Sequence, residues 1–76
     1  MRIEQREFEH PTQASRVRLN VFQQPGGFLV TEERIGTVTV VATLGVFQTV
    51  DAALDRLRLR AADLELQQYR PVAPAA

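Results

Sequence analysis

The stretch TVDAALDRLRLRAADLELQQ, residues 49–68, predicts a helix, and the rest of the architecture follows from where that helix must pack. Residues 51–68 contain no glycine, proline or β-branched residue, and most are strong helix formers. Thr49 is a favourable N-cap, and Asp51 lies in the first turn, where the helix dipole stabilises a carboxylate. Apolar side chains recur at spacings of three and four, so one face holds Val50, Leu54, Leu57, Ala61 and Leu64. We expect this face to pack on a sheet.

A second apolar stripe on the same helix recurs every seven residues, at Ala52, Leu59 and Leu66. At 100° per residue it lies roughly opposite Leu57 and Leu64. Because one sheet covers only one face of a helix, Leu59 and Leu66 should be exposed in a monomer. Two interpretations stay open: they are scattered surface leucines, which are ordinary, or they form a seam for a second helix in a two-fold homodimer.

The residues before the helix predict an antiparallel sheet. Residues 16–23 alternate between apolar and polar side chains, which is the pattern of a half-buried strand. The polar side includes Arg16 and Arg18. The apolar side, which should face the helix, consists of Val17, Leu19 and Val21.

Residues 24–27, Gln-Pro-Gly-Gly, predict a tight turn after this strand. Pro25 presets φ at the second position of a type II turn, and Gly26 accepts the positive φ at the third. Residues 28–34 should therefore return as the second half of a hairpin. The side chains expected to point inward are Phe28 and Val30.

The longest β-type run is residues 37–47, TVTVVATLGVF, which predicts a third strand. Gly45 weakens a strand interior and indicates a bulge or bend. The side chains that we expect to line the core are Val38, Val40, Ala42 and Leu44.

These elements predict an α+β fold, a three- or four-stranded antiparallel meander with one C-terminal helix packed on one face. Residues 1–76 should make a single domain. Within residues 1–14, the large apolar side chains are Ile3 and Phe8, one at an odd and one at an even position. In a regular strand they would point to opposite faces, so this segment could be either an edge strand or a loose arm. Pro71 should end the helical region, and we predict a disordered tail over residues 72–76.

Composition narrows the classes of function. Nine arginines balance nine acidic residues, and zero net charge argues against a strong nonspecific binder of polyanions. Without cysteine, and with His10 as the one histidine, the chain offers no disulfide or thiolate zinc site, so we expect no metal and no cofactor. No Ser-His-Asp order or phosphate-binding glycine loop stands out, and we predict that the protein is not an enzyme. No stretch approaches a membrane span or a signal core, which predicts a cytoplasmic protein without membrane contact.

Two charged groups invite a functional reading. Arg16 and Arg18 project from one strand, where they could form a platform for phosphate or pair with Glu33 across the hairpin; the pairing is favoured because nearby acids would neutralise the platform. Glu32 and Glu33 could be read as a cation site, but neighbouring strand residues point to opposite faces. We therefore expect Glu32 and Glu33 to lie at a solvated turn entrance.

The order of these elements, together with a few residues at their junctions, resembles a WGR domain over residues 8–71. The family is named for a Trp-Gly-Arg motif and is similar to a small antiparallel sheet packed on one helix. Glu32 and Glu33 stand where the motif has its tryptophan and glycine, and Gln68 replaces the usual glycine after the helix. The positions that resemble the family are Arg34-Ile35-Gly36, Phe47, Thr49, Ala53 and Tyr69.

The resemblance implies a small non-catalytic binding module that is associated with nucleic acid, because some members contact DNA ends. The residues that could contact DNA are Arg16, Arg18 and Arg34. The alternative is a protein-interaction or self-association module without a nucleic-acid role, which would use Leu59, Leu66 and the sheet edge. The expected partners are accordingly DNA, another protein or a second copy of the chain.

Overall fold

The computed structural model describes residues 1–72 and shows one antiparallel sheet with one helix on one face. This confirms the predicted α+β architecture. Across the sheet the strands follow the order β4-β3-β2-β1-β5, so the first four form a meander. In chain order the elements are β1 (Arg2–Glu9), β2 (Arg16–Gln24), β3 (Gly27–Ile35), β4 (Val40–Phe47), α1 (Val50–Leu66) and β5 (Arg70–Pro71).

The core lies between α1 and the middle of the sheet. Among the strands, β2 supplies most of the buried apolar side chains, and β4 contributes none that is fully buried. Burying this apolar surface is the main force that holds so small a sheet and helix together. The buried apolar side chains are Phe8, Val17, Leu19, Val21, Val30, Ala53, Leu57, Ala61, Leu64 and Tyr69.

The hairpin between β2 and β3 forms where the sequence predicts it. Gln24 pairs with Gly27, so the turn proper is Pro25 and Gly26, and Gly26 has the positive φ of 88° that a type II turn requires. Gly27 serves a different purpose, because a Cβ atom there would approach the carbonyl oxygen of Phe47 to 2.5 Å. The start of β3 and the end of β4 can lie this close only because Gly27 has no side chain.

The third predicted strand is shorter than expected, and its inward residues are mostly not in the core. β4 begins at Val40, and Val38, Val40 and Ala42 are exposed, which contradicts the prediction that they line the core. Leu44 alone of that set packs against the core, and it is half-buried. The prediction failed because the helix packs over the end of β4, at Leu44 and Phe47, and not over the first half of the strand.

A bulge interrupts β4 next to Gly45, as predicted. Val30 pairs with Gly45 whereas Thr31 pairs with Thr43, so Leu44 is the extra residue on β4. Without the extra residue, Phe47 would point to the opposite face from Ala42. The bulge places both on the helix-covered face, and Phe47 packs against the core.

The N-terminal segment is a strand rather than a loose arm. β1 pairs with β2 along its length, and a register shift at Ile3 explains why Ile3 and Phe8 have opposite parities. β5 covers only the end of β1, at Phe8 and Glu9. The backbone N–H of Val72 donates to the carbonyl of Glu7 at 2.8 Å, so the first residue of the predicted tail is held to the sheet. The remainder of that predicted tail, residues 73–76, lies outside the described residues.

The helix has the predicted N-cap, since the Thr49 side chain accepts a hydrogen bond from the Ala52 N–H at 3.2 Å. One predicted core position is wrong: Val50, in the first turn, is exposed. It lies at the end of the helix, before the helix passes over the sheet.

The C-terminus of α1 is closed by a Schellman motif without glycine. The N–H groups of Tyr69 and Gln68 donate to the carbonyls of Leu64 and Glu65, at 3.0 and 3.1 Å. The motif places Gln68 in the left-handed region, with φ of 76°. This conformation disfavours a residue with a Cβ atom, and it aims Tyr69 back into the core.

Substitution Gln68→Gly should raise the free energy of unfolding by about 1 kcal/mol, because glycine removes the strain of the left-handed conformation. Urea unfolding followed by circular dichroism measures the change. Gln67→Gly is the matched control: Gln67 has an ordinary φ of −89°, so there glycine should lower the unfolding free energy through its backbone entropy. Equal effects at the two positions would contradict the strain at Gln68.

Candidate interaction surfaces

The sheet face that α1 leaves uncovered carries paired charges at Arg16 and Arg18. Arg18 contacts Glu7 on β1 at 3.1 Å and Glu33 on β3 at 3.6 Å, in register with both. Arg16 lies 3.8 Å from both Glu7 and Glu9. This is cross-strand charge pairing, and the acids neutralise the arginine platform that the sequence also suggested.

Next to these pairs lies a polar network centred on Asn20, which is only 1% exposed although no helix covers it. Its amide donates to Glu33 at 2.8 Å and to the Thr31 hydroxyl at 3.3 Å, and its carbonyl accepts from Gln5 at 3.3 Å. Among the described residues, no buried side-chain nitrogen or oxygen lacks a partner. The buried polar side chains in the middle of this face therefore satisfy one another's hydrogen bonds.

Arg34 does not join the other two predicted arginines. It pairs with Val17, a buried residue of the helix-covered face, so its side chain lies on the opposite face from Arg16 and Arg18. Its Nε donates to Glu32 at 3.2 Å. The three predicted nucleic-acid contacts thus divide between two faces of the sheet, and each has an acidic partner.

Glu32 forms a buried ion pair with Arg60 that the sequence analysis missed. The guanidinium of Arg60 binds both carboxylate oxygens of Glu32, through Nε and Nη2, in a fork geometry. Glu32 is 6% exposed, so the expectation that it lies at a solvated turn entrance is wrong. The signal was present in the sequence: Glu32 shares its parity with Val30, and Arg60 lies three residues after Leu57, beside the buried face of α1.

This pair shifts the ionisation of both groups. Burial by itself raises the pKa of Glu32, but the hydrogen bonds and positive charges of Arg60 and Arg34 outweigh it, so the pKa lies below the ordinary value of 4.5. The hydrogen bond to Glu32 likewise raises the pKa of Arg60. Both groups are charged at neutral pH, and they tie α1 to β3.

The strand β4 carries a row of exposed apolar side chains along an edge of the sheet. It forms one edge of the sheet, and none of its side chains is fully buried. Val41 and Val46 point to the face away from the helix and are 60% and 57% exposed; Val40 and the preceding Val38 are also exposed. Residues 35–50 carry no charge. Among the described strands, β4 therefore offers an uncharged edge with no further strand paired to it, which is the kind of edge that pairs with another chain.

The helix carries a second, narrower apolar feature. Leu59 and Leu66 are 66% and 82% exposed, as expected for a monomer, whereas Ala52 is half-buried. Exposed charges stand beside the stripe, including the ion pair of Arg58 with Asp55 at 3.0 Å. Isolated exposed leucines are ordinary on a protein surface, so the stripe is a weaker candidate than β4.

His10 and the acidic residues do not form a metal site. The ring of His10 stacks edge-to-face on Tyr69, with centroids 5.1 Å apart, and its Nδ1 accepts from the Thr12 N–H. Within residues 1–72, no three His, Asp or Glu side chains come together where a metal ion could be held. The same part of the chain contains no helix with the length and apolarity that crossing a bilayer requires.

In comparison with known proteins, no family model matches the sequence, and no curated protein or solved structure matches it significantly.

Substitution Arg60→Met should lower the free energy of unfolding by about 1–3 kcal/mol, because it leaves the buried Glu32 carboxylate with Arg34 as its one cationic partner. Methionine keeps the helix propensity and much of the length of the side chain. The control Arg58→Met, two residues away, removes an exposed pair and should cost less than about 0.5 kcal/mol. Urea unfolding of both variants at neutral pH measures the two changes. Equal losses of unfolding free energy in the two variants would contradict a stabilising role of the buried pair.

The Glu32 pair also predicts a dependence of stability on pH. Because the pKa of Glu32 is lower in the folded chain, its charge stabilises the fold above pH 4.5, and this stabilisation is lost as the pH falls through the folded pKa. The wild type should therefore be more stable than Glu32→Gln at pH 7, and the difference should shrink below about pH 4.5. Glu65→Gln, at an exposed position of α1, is the control. A wild-type advantage over Glu32→Gln that persists unchanged to pH 2 would refute the linkage.

Proposed function

We propose that this chain is a small non-catalytic module that associates with protein, in the first place with other copies of itself. The observation that supports this function most directly is the bare edge of β4, with exposed valines on both faces of the strand and no charged residue along it. Soluble proteins usually blunt such edges with charges, prolines or a covering element. An edge left in this state is suited to a partner.

The electrostatics support association with protein over association with nucleic acid. Binding to DNA draws its affinity from cations that neutralise phosphates. Here Arg16, Arg18 and Arg34 each lie against a carboxylate, and they lie on two faces. DNA would have to displace these acids, at a cost in free energy that the balanced charge of the chain does not offset.

Membership of the WGR family, with its implied contact to DNA ends, stays a proposal that rests on the order of elements and on the junction residues. The end of the helix supports this proposal, because Gln68 takes the left-handed conformation at the position where the family has glycine. Tyr69 then enters the core. This likeness concerns architecture. It carries no phosphate-binding surface with it.

The proposed function predicts that the purified protein is larger than one chain. Sedimentation velocity over a range of micromolar concentrations should give a mass approaching twice 8.5 kDa. Fluorescent nicked and blunt DNA duplexes, titrated with the protein at increasing salt, should show no binding that weakens as salt rises.

Two results would overturn this assignment. A mass of one chain at every concentration would remove self-association. Affinity for duplex that falls steeply with salt, and that Arg16→Gln with Arg34→Gln abolishes, would favour the nucleic-acid module instead.

A further inference from the structure

We propose that β4 pairs antiparallel with β4 of a second copy about a two-fold axis perpendicular to the sheet, so that the two sheets become one continuous sheet. This inference rests on the proposed function and specifies its surface: the interface is the strand edge rather than the Leu59–Leu66 stripe of α1. Antiparallel pairing of identical strands is self-complementary, since each copy offers the same N–H and C=O groups to the other.

The two edges of the sheet are protected unequally. On the β1 side, the edge is interrupted by a bulge at Ile3, carries the charges of Arg2 and Arg6, and is covered at its end by β5, in which Pro71 has no N–H to donate. Bulges, charges and proline are the devices that prevent edge pairing. The β4 edge has neither charge nor proline, and its first half is regular.

This asymmetry determines the form of the assembly. If both edges were open, β4 of one copy could pair with β1 of the next, and the chain would grow into a fibre. Because the open edge of the described sheet is the first half of β4, pairing of β4 with β4 leaves the two protected edges at the outside. The assembly therefore closes as a dimer.

Charge and register favour a second copy as the occupant of this edge. Residues 35–50 carry no charge, so two antiparallel copies of β4 bring no like charges together. The regular part of β4 ends before the bulge residue Leu44. A register centred on Val41 keeps Leu44 out of the new ladder and pairs Val40 with Ala42 of the partner subunit.

The dimer also covers apolar surface on both faces. Val41 would meet Val41 of the partner subunit at the axis, on the face away from the helices. On the other face, the exposed Val40 and Ala42 would meet their counterparts, with both helices on that same side of the sheet. Leu59 and Leu66 take no part, since the axis passes between the two β4 strands and both leucines lie on the side of α1 that points away from the sheet.

Cysteine scanning tests this geometry cleanly, because the chain has no cysteine of its own. Single variants Val41→Cys, Val46→Cys, Leu59→Cys and Leu66→Cys are oxidised mildly and analysed on non-reducing gels. Opposed residues on antiparallel strands have Cα atoms about 4.5–5.5 Å apart, within the range of a disulfide. Val41→Cys should therefore crosslink at least about tenfold faster than Val46→Cys, which has equal exposure on the same face but lies five residues from the axis.

A second pair of variants does not depend on oxidation. Val41→Lys puts two like charges at the axis and should reduce the sedimentation mass to that of one chain, whereas Leu59→Lys should leave the dimer intact. Both positions are exposed, so neither change should unfold the monomer, and circular dichroism verifies this.

The outcomes separate this inference from the proposed function. Fast crosslinking at Val41, with a monomeric Val41→Lys variant, supports the β4 interface. A dimer that crosslinks at Leu59 or Leu66 and tolerates Val41→Lys would overturn the β4 interface but leave self-association standing. A wild type that is monomeric throughout would overturn both.

Discussion

The width of one helix is the constraint on which this structure depends. A helix with its side chains is about 10–12 Å across, and neighbouring strands lie about 4.8 Å apart, so one helix covers about two strands. Here β2 and β3 supply the sheet residues that are buried under α1, while Phe8 supplements them from β1. The first half of β4 lies beyond that cover, and its valines remain exposed because no second helix exists in the described chain to bury them. At the other end of the strand, Leu44 and Phe47 pack against the core.

Polar side chains at the border of the core bind one another where the helix no longer covers the sheet. Arg60 projects from the flank of α1 toward β3, where it binds Glu32 instead of reaching solvent. On the uncovered face, Asn20 and Arg18 bind acids on neighbouring strands and form a polar layer that needs no covering element. Buried polar side chains are thus satisfied within the described chain, whereas four of the exposed valines lie on β4 or just before it. This separation favours association with protein over recognition of a charged ligand.

Local patterns in the sequence were sufficient for most of the architecture. The alternation around Val17, the Pro25–Gly26 turn and the Thr49 cap each depend on near neighbours, and each appears as predicted. The failures concern how far the helix reaches, which no local pattern records: Val40 has the spacing of a core residue but lies beyond α1. The pairing of Glu32 with Arg60, 28 residues apart, likewise required knowledge of which flank of the helix passes over β3. The sequence places the candidate arginines on the correct strands. It indicates the acidic partner of Arg18 on the uncovered face, but not that of Arg34 on the helix-covered face.

Amide hydrogen exchange along β4, measured at two protein concentrations, shows whether the exposed first half of this strand is the surface through which two copies of the chain associate. If two copies pair through β4, exchange at Val40–Thr43 slows as concentration rises, while exchange of the α1 amides near Leu59 and Leu66 does not change. Protection along β4 that is the same at both concentrations, or that rises along α1 instead, would contradict it.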